Sequence, residues 1–131
     1  MIKNDLIADM IVRVKNASAN RQESVVFPHS KFAIAVMGVL ERAGYLEALS
    51  KKGKKIHRQI EAKIIYANNI PKFKDARRIS KLSKRVYWKI KDVIPVKSGY
   101  GSLILSTPKG ILTDKEARKE NVGGEALFQI W

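Results

Sequence analysis

Apolar residues in this chain switch repeatedly between a helical and a strand spacing, and no block of either kind is long enough to fold alone. That alternation predicts an α+β fold. Leu6, Ile7, Met10, Ile11 and Val14 recur at helical spacing behind Asn4, a good N-cap residue, so a first helix is expected over 5–19. Arg13, Lys15 and Asn16 fall on its polar side near the C-terminal end, where they complement the helix dipole or meet phosphate. "SVVFP" reads as a short strand, and Ser30 caps a second helix expected to bury Phe32, Val36, Val39, Leu40 and Ala43 and to end at Gly44. "YLEALS" follows as a strand and "KKGKK" as a turn. "IHRQIEAKIIY" then alternates, with Ile56, Ile60, Ala62, Ile64 and Tyr66 on one face and His57 on the polar one.

Asn68, Asn69 and Pro71 are turn residues, and the boundary between two small halves, 1–67 and 68–131, is expected there. The first half reads α-β-α-β-β. The second is mostly β with one short helix. In it, "DARRISKLSKRVYWKI" gives two short strands around a polar turn at 81–84, and Tyr87 and Trp88 must leave opposite faces of their strand. Ser102 to Leu105 forms the next strand, followed by the turn "STPKG" and a short apolar return. Thr113 with Glu116 makes a capping box for a short helix that Asn121, Gly123 and Gly124 stop, and "EALFQIW" is the last strand.

Composition narrows the function. The 131 residues carry 26 Lys and Arg against 12 Asp and Glu, a formal charge of +14. The excess is local: the stretch 51–91 holds fifteen basic residues and two acidic ones, +13 of the total. A polyanion suits such a concentration, because each cation that neutralises a phosphate releases condensed counterions. There is no cysteine and only two histidines, far apart, which argues against disulfides, thiolate metal sites and a histidine metal cluster. No apolar run approaches the ~20 residues that span a bilayer. The N-terminus, with two acids and no cleavage pattern, is not a signal peptide, so a soluble protein that stays where it is made is expected.

Enzyme motifs fail on spacing. "STPKGI" has Lys and Gly in the wrong order for a phosphate-binding loop, and "GYGSLI" lacks the third glycine and following helix of a dinucleotide site. A Ser106 nucleophile has Lys109 as its only close base, so a small hydrolase is the rival from another class. Ser106 and Thr107 make better sense as recognition groups beside a positive charge, and RNA is favoured over duplex DNA because no helix carries a row of major-groove readers. The alternative is a turn whose hydroxyls satisfy their own backbone.

"GYGSLILSTPKGILTDKEARKENVGGEALFQIW", with "RRISK" and "KRVY" upstream and "DLIADMIVRVKNA" at the start, resembles the small-subunit ribosomal protein family numbered eight, of bacterial or organellar type, over essentially the whole chain. The resemblance implies a non-enzymatic, cofactor-free binder of the central domain of 16S-type ribosomal RNA that helps assemble the subunit platform and grips a bulged stem mainly through its C-terminal half. Carried to this chain, Ser106 and Thr107 contact an unpaired base and its sugar, and Lys109 and Gly110 set the turn and meet the RNA backbone. Gly123 and Gly124 let RNA approach the main chain, Glu125 accepts from a base amine or holds the loop, and Tyr87 and Arg85 lie at the same surface, Arg85 on phosphate. Arg13, Asn16 and Lys31 face a second RNA element. Removing the Thr107 hydroxyl is then expected to weaken RNA binding with little effect on folding. The implied neighbours are small-subunit proteins five and twelve, with no membrane, in the cytoplasm or an organelle ribosome. The alternative role is a translational repressor on a similar stem in the chain's own operon messenger. Pro108 stands where many members have a second serine, and Leu6 where the family usually has proline.

Overall fold

The computed structural model describes residues 3–52, 58–81 and 83–131. They form an α+β chain of two compact units, residues 1–73 and 74–131.

In the first unit, α1 (Lys3–Ala19) precedes β1 (Ser24–Pro28), α2 (Lys31–Arg42), β2 (Leu46–Lys52) and β3 (Gln59–Ile64), the predicted α-β-α-β-β order. The helix begins earlier than expected, so Asn4 lies inside it and is not its N-cap; nothing at Lys3 or Asn4 breaks a helix. Ile7, Met10, Val14 and Ala17 form its buried stripe. Ser30 does cap α2, its hydroxyl oxygen accepting from the Ala33 N–H at 3.0 Å. The buried face of α2 is rotated from the expected one: Ala33 and Met37 join Val36, Val39 and Leu40, whereas Phe32 and Ala43 are half-buried. Apolar residues surround much of this helix, and the sheet it packs on selects which of them are covered. Gly44, at φ +89°, takes the left-handed conformation just after the helix.

β3 lies between β1 and β2, antiparallel to both. Val25 opposite Ala62 and Phe27 opposite Ile60 set the inner face, with Leu46 opposite Ile64 on the other side. Lys51 and Lys52 extend β2 and are not turn residues; the rest of the predicted turn, with Ile56 and His57, lies outside the described residues. Asn68 and Asn69, at φ 53° and 66°, are the two central residues of a tight hairpin joining β4 (Tyr66–Ala67) to β5 (Ile70–Pro71). Two consecutive positive φ values match the right-handed twist of paired strands, and asparagine tolerates them. This hairpin belongs to the first unit, and the contact boundary follows it at Phe73.

The second unit is a five-stranded antiparallel sheet built from β6 (Ala76–Arg78), β7 (Tyr87–Trp88), β8 (Ser102–Thr107), β9 (Gly110–Thr113) and β10 (Gly124–Ile130). Its order is β6-β10-β8-β9, with β7 pairing the same edge of β10 further along. β8 runs through Ser106 and Thr107, two residues beyond the expected end, because both continue the ladder with β9. The short helix α3 (Asp114–Glu120) carries the predicted capping box: Glu116 N–H donates to Thr113 Oγ1 at 3.1 Å and Thr113 N–H to the Glu116 carboxylate at 2.9 Å. Asn121, at φ 56°, ends it. One face of the sheet, with Leu103, Leu105 and Ala126, packs on Ala117 of α3 and on Val93 and Val96. Trp88, Val86, Ile79 and Trp131 close that core at its edges.

Candidate nucleic-acid interface

Four strands of the second unit meet in a single cross-strand row at one end of the sheet. Tyr87 pairs with Glu125, Glu125 with Ser106, and Ser106 with Ile111. Residues directly opposite in an antiparallel sheet share a face, so ring, carboxylate and hydroxyl stand side by side. Tyr87 is 69% exposed on a strand otherwise fixed by its pairing, which presents the phenol outward.

The two hydroxyls of the hairpin are not one group. Ser106 and Thr107 are consecutive strand residues, so their side chains leave opposite faces of β8. Ser106 shares the face of Glu125 and Tyr87, and its hydroxyl has no hydrogen-bond partner among the described residues. Thr107 is occupied: its hydroxyl donates to the Gly110 carbonyl at 2.7 Å and accepts from the Lys109 N–H at 3.1 Å. Its one proton is therefore spent bracing the turn. Pro108 occupies the second position of that turn with its φ fixed by the ring, and Gly110, at φ +112°, takes a conformation a side chain would resist. Lys109 Nζ lies 3.9 Å from the Glu120 carboxylate with both side chains about half exposed, a weak pair that leaves the ammonium available.

Glu125 organises the row. Its side chain is 12% exposed and accepts from Ser80 Oγ at 2.5 Å and from the Arg85 guanidinium at 3.2 Å. Ser80, fully buried, in turn accepts from the Val86 N–H at 3.2 Å. The carboxylate thus ties the segment before β7 to β10; its partners lie in that segment and not in the Ser106–Thr107 hairpin. Arg85, expected on phosphate, is paired with Glu125 and keeps only part of its guanidinium toward solvent.

The glycine pair has an internal explanation. A Cβ on Gly123 would fall on the Trp88 carbonyl and the Ile90 N–H, and one on Gly124 on the Ser106 carbonyl. Both glycines let β10 lie close against its own neighbours, which is what seats Glu125 beside Ser106. In the first unit, Arg13 is committed by a 2.8 Å bond to Asp9 and a 3.1 Å bond to the Val26 carbonyl, so its role there is to tie α1 to β1. Asn16 and Lys31 are exposed, Lys31 in the first turn of α2.

The sequence reading missed Ser80. Linear spacing carries no sign of it, since residues 80, 85 and 125 are brought together only by the pairing of β6 and β7 along β10. Among the described residues no group of His, Asp and Glu is placed to hold a metal ion. Among the described residues no helix is long and apolar enough to cross a membrane.

A basic α+β chain with an exposed aromatic, an unpartnered hydroxyl and an unburied ammonium at one sheet end belongs with the nucleic-acid binders. The family described as "Ribosomal protein S8" matches residues 5–131, and the chain belongs to it. It is 43% identical to small ribosomal subunit protein uS8 of Mycoplasmopsis pulmonis over 130 residues, 99% of this chain and 98% of the relative. The uS8 protein of Mycoplasma mobile is 41% identical over 97% of this chain and 96% of its own length. That of Novosphingobium aromaticivorans is 37% identical over the full length of both. The chain is thus a structural protein of the small ribosomal subunit, an RNA binder and not an enzyme. Its associations are with ribosomal RNA and other ribosomal proteins.

Proposed function

We propose that the end of the second unit's sheet binds a bulged stem in the central domain of 16S-type ribosomal RNA and holds it in the shape from which the subunit platform is assembled. The observation that carries this is the Tyr87–Glu125–Ser106 row. An exposed ring can stack on an unpaired base, and a free hydroxyl beside it can reach a sugar or base edge. Lys109 supplies charge to the RNA backbone. Thr107 and Gly110 fix the hairpin, and a lone pair on Thr107 stays open to a 2′-hydroxyl. Gly123, Gly124, Glu125 and Arg85 act through position, with the outer edge of Arg85 meeting phosphate. Asn16 and Lys31, with Arg13 anchoring α1, form the surface for a second RNA element. The second unit is the RNA-gripping half in this reading.

Finer partnerships belong to the same proposal: small-subunit proteins five and twelve as neighbours in a cytoplasmic ribosome, and a like-shaped stem in the chain's own operon messenger as a repressor target.

The test is equilibrium binding of the full chain to a central-domain stem carrying the bulge and to the same stem without it. Ser106→Ala and Tyr87→Ala should each cost about 1 to 3 kcal/mol on the bulged stem and much less on the continuous one. Equal loss on both stems would remove the specific-contact role.

A further inference from the structure

Tyr87 and Trp88 leave opposite faces of β7, and the stem site uses only the first. On the other face, at the edge where β6 and β7 meet β10, lies a cleft of about 430 Å³. Ile79, Val86 and Trp88, all packed on the second unit's core, form its floor. Arg77, Arg78, Lys81 and Lys84 form its rim, and the Gln129 amide stands opposite Arg77 across the β6–β10 pair.

The chemistry of this cleft is one-sided. Arg78 donates to the Ser80 carbonyl, but Arg77, Lys81 and Lys84 have no ion-pair partner among the described residues. The cleft's lining includes no carboxylate. Its volume falls in the range of pockets that enclose a small ligand, about 300–1,000 Å³. An apolar floor with an indole, a cationic rim and one amide is the arrangement that takes an unstacked nucleotide: base on the ring and aliphatic floor, phosphates on the rim, amide to the base edge. An acidic peptide would satisfy the rim and leave the aromatic floor and the amide without a purpose.

We infer that this cleft is a second RNA site, on the face of the sheet opposite the stem site, which binds a single-stranded nucleotide segment. It goes beyond the stem-binding proposal and uses none of the side chains of that site. Two RNA segments would then be held on the two faces of one β7–β10 pair.

The test uses the full chain with Trp131→Phe, which leaves Trp88 as the only indole, titrated with a uridylate pentamer and followed by fluorescence. Saturable quenching of Trp88 is expected, with log K falling by about 0.7 per log unit of salt for each phosphate neutralised. Arg77→Gln combined with Lys84→Gln should weaken the pentamer at least about fivefold and reduce that slope by about 1.4, two contacts' worth. Ser106→Ala should leave pentamer binding within about twofold. Should Trp131→Phe fold poorly, the indole N–H resonance of Trp88 in the unmodified chain gives the same readout.

Absence of any Trp88 response to the pentamer overturns the inference. So does a Trp88 response to polyglutamate with none to the pentamer, or pentamer binding abolished by Ser106→Ala. A chain that binds the bulged stem through Ser106 and shows no Trp88 response keeps the stem proposal and loses this one. A chain whose Trp88 responds but whose stem binding ignores Ser106→Ala does the reverse.

Discussion

At Glu125 a single carboxylate answers for three segments of chain. Its partners are a buried serine hydroxyl and a half-exposed guanidinium, and the two contribute unequally. Removing the carboxylate leaves Ser80 without its acceptor in a place water does not reach, so Glu125→Ala should lower stability by about 1 to 3 kcal/mol in urea unfolding. Arg85→Gln deletes a screened, partly exposed pair and should cost under about 1 kcal/mol. If the two variants lose the same amount, the serine relay is not what holds β7 to β10. The hydroxyls of the hairpin separate in the same way. Thr107→Val breaks two internal bonds and should cost about 0.5 to 1.5 kcal/mol of stability in addition to any loss of RNA affinity. Ser106→Ala breaks none and should leave the melting temperature unchanged, which makes it the cleaner probe of recognition.

At the scale of elements, the last strand is the piece on which the site depends. β10 pairs β6, β7 and β8, and Gly123 and Gly124 allow that close approach. Gly124→Ala drives a methyl group onto the Ser106 carbonyl, backbone against backbone, where no flexible side chain can give way. Such overpacking costs typically about 1 to 3 kcal/mol, and here it also displaces Ser106. The expected result is a lower unfolding midpoint together with weaker stem binding; weaker binding at unchanged stability would instead mean that RNA itself occupies the space above this glycine. The N-caps of α2 and α3 were legible because they are local: Ser30 and the Thr113–Glu116 box act within one turn, so sequence spacing is their geometry. The rotated face of α2 was not legible, because apolar residues surround much of that helix and only the sheet it packs on decides which are covered.

For the whole molecule, charge sets how strongly RNA is held and a few side chains set which RNA. With +13 of the total +14 concentrated in the stretch 51–91, affinity for any stem should fall steeply with salt. Ser106→Ala should shift that line downward without changing its slope, since a hydroxyl releases no counterion, whereas loss of Lys109 should flatten it by up to about 0.9. A slope altered by the serine change would show that the hydroxyl acts by rearranging charge.

The α+β class, the α-β-α-β-β order, the N-caps of α2 and α3, the excess of positive charge and the family resemblance were all determined by the sequence alone. Each depends on residues close together in the chain or on simple sums over it. Only the tertiary structure decided that Ser106 is free while Thr107 is occupied, that Ser80 and Arg85 meet on Glu125, and that the glycine pair is filled by the protein's own backbone. The Glu125 cluster and the glycine contacts depend on register between strands far apart in the chain, which no local spacing records, and the Thr107 bonds, though local, depend on the backbone geometry of a turn that residue spacing does not specify.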